Sequence, residues 1–178
     1  MDYERRFFRS LLTSVLLYLI LVAGAFTPLS RSEAEERMRT LNELTSSINS
    51  PLQIFANNLL VSLLMLVPFV GPPAGAFVIY NTGLFFSALS ITNNVPPIVA
   101  IVTPLITIYG ALEFVAYGFF FHHGLRFSYT LLRRRFREEL RPALFMIAVG
   151  AIVLLSAALL EYLLLEAVSN FIPQSVIR

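Results

Sequence analysis

From Leu44 to Leu112 the chain carries no charged side chain, an unbroken run of 69 residues. Soluble domains carry about 25% charged residues, so a run of this length belongs in lipid rather than water. Two further uncharged stretches, Ser10–Ser30 and Pro142–Leu160, flank it. A helix needs roughly 20 apolar residues to cross a bilayer core, and all three runs are long enough. Inside hydrocarbon the backbone must satisfy its own hydrogen bonds, which a helix does within one segment. The chain therefore reads as an all-α integral membrane protein. Its 57% hydrophobic and 13% charged residues agree.

Proline and glycine divide the long run. "PFVGPPAG" (Pro68–Gly75) and "NNVPP" (Asn93–Pro97) are breaker clusters. The expectation is a polytopic transmembrane bundle forming one membrane domain over 1–178. Its five spans lie near 10–28, 52–70, 74–91, 98–122 and 143–165, with two surface amphipathic helices between them. Pro104 falls early in the fourth span, where a proline is tolerated. Arg5, Arg6 and Arg9 before the first stretch are also seen in signal peptides. That stretch is longer than a signal core and is read as a retained span.

Arginine sets the orientation, and all thirteen basic residues are arginine. An inside N-terminus collects Arg5, Arg6, Arg9, Arg126, Arg133, Arg134, Arg135, Arg137 and Arg141 on the inner face. The outer face takes Arg31, Arg37, Arg39 and Arg178. Nine against four follows the positive-inside rule and predicts a cytoplasmic N-terminus and an outer C-terminus.

An outer amphipathic helix is predicted over 32–48. Ser32 and Glu35 read as its capping box, and Ala34, Met38, Leu41, Leu44 and Ile48 as its apolar stripe. A cytoplasmic basic helix is predicted over 125–141. Leu125, Tyr129, Leu132, Phe136 and Leu140 form one stripe, and Arg134–Glu138 and Arg135–Glu139 are spaced for ion pairs. Arg126, Arg133, Arg134, Arg137 and Arg141 lie off that stripe as a basic patch suited to anionic headgroups. An ordinary solvated loop is the plainer reading of the same charges.

The fourth span poses the sharpest question, because Glu113 lies within it. Tyr109, Glu113 and Tyr117 are four apart and share one helix face. Counted from Ile98, Glu113 would lie about 22 Å into the helix, beyond reach of either headgroup layer. An intramembrane carboxyl needs partners. Asn57 and Asn58 on the second span and Asn81 on the third supply amides for an intramembrane polar cluster with Tyr109 and Tyr117. Such a cluster is a structural staple in the plain reading and a proton or cation site in the sharper one.

His122 and His123 are adjacent, so their side chains diverge by about 100° on a helix and cannot jointly hold one ion. There is no cysteine, which removes thiolate catalysis and Cys-based metal sites. The one aspartate, Asp2, excludes an aspartyl dyad, and no phosphate-binding loop or hydrolase motif appears. Catalytic, cofactor-binding and metal residues are expected to be none.

Four motifs, in order, resemble the stage II sporulation protein M (SpoIIM) family. They are "IFANNLLVS" with Asn57 and Asn58, "YNTGLFFSA" with Asn81 and Gly83, "YGALEFVA" with Gly110, Glu113 and Ala116, and "AALLEYLLLEA" with Glu161. Tyr109 stands where the family carries histidine. The resemblance implies a non-enzymatic integral membrane scaffold that organises or remodels membranes. Its expected partners are the lipid bilayer with anionic lipids, a second copy of the chain as a homodimer, and other membrane proteins, but no nucleic acid. The alternative is a small transporter or ion pathway using Glu113. A third reading is an intramembrane enzyme of unrecognised type.

Overall fold

Seven helices and no strand make up the described residues, 3–46 and 50–171, of this computed structural model. They are α1 (Tyr3–Ala25), α2 (Arg31–Thr45), α3 (Pro51–Met65), α4 (Gly71–Asn93), α5 (Pro97–Ile106), α6 (Ile108–Leu132) and α7 (Phe136–Phe171). α1, α4 and α7 are long and apolar enough to cross a membrane, and α5 with α6 makes a fourth span if the bent pair counts as one. These are the proportions of a helical membrane protein. The expected second span is shorter than predicted, because α3 ends at Met65 and the chain turns through Phe69 in the left-handed region. Its 15 residues cover only about 22 Å.

α1 packs between α4 and α6, and α7 packs along α6. Where α1 crosses α4, Gly24 faces the Tyr80 carbonyl and Gly83 faces the Leu21 carbonyl, with no room for a Cβ at either position. Small residues let helices approach this closely, which membrane helices use in place of a hydrophobic driving force. Hydroxyls then tie the crossing. Ser87 donates to the Thr27 carbonyl at 2.8 Å, and Thr27 and Tyr80 share a hydrogen bond at 2.9 Å. Thr13 donates to the Gly118 carbonyl at 2.9 Å, which ties α1 to α6. Leu17, Leu21, Met65, Ile79, Phe114, Phe119, Phe120, Met146 and Leu154 form the core between these helices. Outside it lies a broad apolar surface that includes Leu12, Leu16, Leu19, Phe77, Ile152 and Leu163.

Three local expectations change. The capping box of α2 is Ser30 with Glu33, not Ser32 with Glu35. Both pairs fit the pattern, but Ser30 holds the extended backbone of an N-cap. Its hydrogen bonds hold the Glu33 carboxyl below the ordinary carboxylate range. Of the α2 stripe, Ala34 is buried and Met38 and Leu41 are half-buried, and α2 packs on α4. Ile48 lies outside the described residues, as does Arg178.

The fourth span is not one helix. It breaks at Thr107, where the backbone is extended and α5 and α6 meet at 79°. Pro104 lies inside α5, which runs on to Ile106, so the helix tolerates the proline and breaks only beyond it. Gly110 completes the corner by leaving space for the Pro104 carbonyl, which a Cβ would strike.

The basic helix over 125–141 does not exist as a unit. α6 runs on to Leu132, the chain reverses at Arg133–Arg135, and α7 starts at Phe136 and continues through Pro142. Arg134 takes the left-handed conformation (φ 57°) that makes the reversal tight. With Arg134 out of any helix, its expected pair with Glu138 is lost. Arg135 pairs with Glu138 instead, at 2.7 Å, and Glu139 turns inward.

Candidate functional site

The break at Thr107 repositions Glu113. Counted from Ile108, the carboxyl sits in the second turn of α6, roughly 8 Å along it rather than 22 Å. The Asn58 side-chain amide on α3 donates to Glu113 Oε1 at 2.6 Å. Of the six residues expected to cluster, this is the pair that joins two helices by a direct hydrogen bond among the described residues. Asn57 is exposed and reaches only Asn58, at 3.5 Å. Asn81 bonds the Phe77 carbonyl of its own helix at 2.8 Å and does not join. Tyr109 and Tyr117 keep to the Glu113 face, and Tyr117 stacks edge-on against Phe114.

Glu161 is the residue that polarity along the fourth span does not reveal. It projects from α7 into the same region and interacts electrostatically with Glu113. Its traces in the sequence are its place at the end of the uncharged run Pro142–Leu160 and in the motif "AALLEYLLLEA". Two cavities share Asn58, Glu113 and Glu161 as a common wall. The outer one, about 580 Å³, runs from Thr45 and Ser50 past Asn57 to Glu113, with Tyr162 and Glu166 on its α7 side. The inner one, about 330 Å³, is bounded by Leu21, Ile79, Phe86, Pro104, Phe114 and Tyr117. No basic side chain lines either cavity among the described residues.

A second polar centre lies at the other end of α6. Glu139, only 1% exposed, accepts from Arg6 of α1 and from Arg126 Nη2 at 2.9 Å, and pairs with His123 Nδ1 at 3.0 Å. A buried carboxylate needs such partners to offset its lost hydration. Arg126 was expected in a surface patch, but its guanidinium is turned onto Glu139. Arg133, Arg134, Arg137 and Arg141 are exposed, as a surface patch requires, and Arg133 stacks over Tyr129. His122 and His123 are both buried with their rings edge to face, so neither simply marks the end of a span. No group of three or more metal-ligating side chains occurs among the described residues.

Fold and site together define a polytopic helical membrane protein with one polar centre at each end of α6. No protein-family model, curated protein or solved structure matches the chain. The likeness to the SpoIIM family therefore stands on the four motifs alone.

Proposed function

We propose that the chain is a non-enzymatic integral membrane scaffold that organises or remodels the cell membrane, as its SpoIIM-like motifs imply. It crosses five times, through α1, α3, α4, the α5–α6 pair and α7, with a cytoplasmic N-terminus and an outer C-terminus. α2 lies on the outer surface, packed on α4, and the apolar belt is the face offered to a second copy of the chain or to another membrane protein. The observation that carries this reading is the end of the bundle around Glu139. There, α1, α6 and α7 are bound together, while Arg133, Arg134, Arg137 and Arg141 stay exposed beside exposed Leu125, Leu132, Leu140 and Phe145. Arginine forks match phosphate, and apolar side chains at that level enter the headgroup boundary. The short α3 adds a second lever, since a span shorter than the hydrocarbon thickness thins the bilayer around it.

Reconstitution tests it. Liposomes containing phosphatidylglycerol should tubulate or change size with protein density, and neutral liposomes should respond less. Identical vesicle morphology with and without protein, at every lipid charge and density, overturns the reading. The alternative, an ion pathway, is favoured by the outer cavity reaching Glu113. Ion flux in proteoliposomes that Glu113→Gln abolishes would replace the scaffold with that alternative.

A further inference from the structure

Tyr117 lines the inner cavity, is only 8% exposed, and makes no hydrogen bond to any described residue. Its hydroxyl keeps accessible surface on the cavity and is free to bond a guest there. Beside it, Glu113 and Glu161 form the wall to the outer cavity, and no basic side chain among the described residues lines either cavity. Acids inside membrane proteins are normally paired, and these two neighbouring carboxyls offer a cation a seat between them. Leu21, Ile79, Phe86, Pro104 and Phe114 give the inner cavity an apolar wall, broken by the polar side chains of Thr82 and Tyr109.

We propose that the two cavities form one binding site for an amphiphilic primary amine. Its ammonium group sits at Glu113, Glu161 and Tyr117, and its hydrocarbon chain fills the inner cavity. An ammonium carries three N–H donors, enough for both carboxyls and the tyrosine oxygen together. The Phe114 and Tyr117 rings add a cation–π surface. The inner cavity, about 330 Å³, is at the lower end of the range for small-molecule sites. That suits a single short chain. Entry is through the outer cavity, whose mouth at Thr45 and Ser50 is polar. The site is independent of the scaffold reading, because neither cavity includes Glu139 or the exposed arginines.

The test uses the full chain in nanodiscs of neutral phosphatidylcholine, with octylammonium as probe and protein-free nanodiscs as the partition blank. Octylammonium should bind saturably, one per chain, and at least tenfold more tightly than 1-octanol or methylammonium. Thr82 lines the inner cavity from α4, and Glu161→Gln and Thr82→Phe leave the Asn58–Glu113 hydrogen bond in place. The first removes a charge at the head, and the second fills part of the tail cavity. Each should weaken octylammonium at least tenfold. Binding no greater than the blank overturns the proposal, as does octanol binding equally well. Methylammonium binding equally well overturns it too, by making the site one for bare cations. If either variant misfolds, the three-ligand comparison on the unaltered chain still decides.

Discussion

Arg6, in the first turns of α1, hydrogen-bonds Glu139, in the first turn of α7, across 133 positions of sequence. His123 and Arg126 hold the same carboxylate from α6. Three helices thus meet on one acid that is shielded from solvent. Removing one member of a buried ion pair strands the charges left behind, at about 3–5 kcal/mol. Glu139→Ala should therefore lower stability by roughly 3 kcal/mol, partly relieved because Arg126 keeps some solvent contact. Thermal unfolding in detergent measures it. Adding Arg6→Ala to Glu139→Ala should cost less than the sum of the two single changes. Strict additivity would mean that the pair contributes no coupling.

The glycine crossing gives a second expectation. A Cβ on Gly83 would strike the Leu21 carbonyl, which is backbone and cannot swing aside. Overpacking of this kind costs about 1–3 kcal/mol. Gly83→Ala should cost that much, and Gly83→Leu should detach α1 from α4. Gly75 is the contrast, because its Cβ would meet the flexible Met65 side chain. Gly75→Ala should be milder than Gly83→Ala in the same melts, and the reverse order would contradict the close crossing.

Much of the architecture was legible in the sequence, because charge-free runs and proline clusters act locally. The three long apolar helices and the α3–α4 turn follow from them. What escaped was decided by tertiary contact. The break at Thr107 depends on Gly110 admitting the Pro104 carbonyl, which no periodicity encodes. Glu139 fitted an i,i+4 pair with Arg135 on paper, yet it turned inward because Arg6 and His123 offered a better-satisfied site. Asn58 was one of several amides that could have reached Glu113. Choosing it over Asn81 required knowing that Asn81 turns back onto the Phe77 carbonyl of its own helix.

Topology is open to a direct check, since the chain has no native cysteine. Ser46 and Arg137 are both exposed, and they lie at opposite ends of the proposed crossing pattern. An impermeant thiol reagent applied to intact cells should label Ser46→Cys and spare Arg137→Cys. The reverse pattern would invert the protein in the membrane, and the arginine asymmetry would have misled.

Glu113 separates structural from transport roles most cleanly. Its bond from Asn58 fastens α3 to α6 at 2.6 Å. Interhelical polar contacts in membranes average only about 0.6 kcal/mol. Glutamine keeps the size and an oxygen to accept from Asn58, so Glu113→Gln should cost roughly 1 kcal/mol or less. Leucine leaves the Asn58 amide without an acceptor and should cost more, up to about 3 kcal/mol. Glu113→Ala opens the wall between the cavities, so water can reach that amide, and it should fall between the two. Melts of the three variants give the order, and vesicle reshaping gives the function. If Glu113 is a fastener, reshaping follows stability, and the Gln variant keeps nearly all of it. A Gln variant that melts like the parent yet reshapes nothing would show that ionisation at Glu113, rather than the bond to Asn58, is what the protein uses.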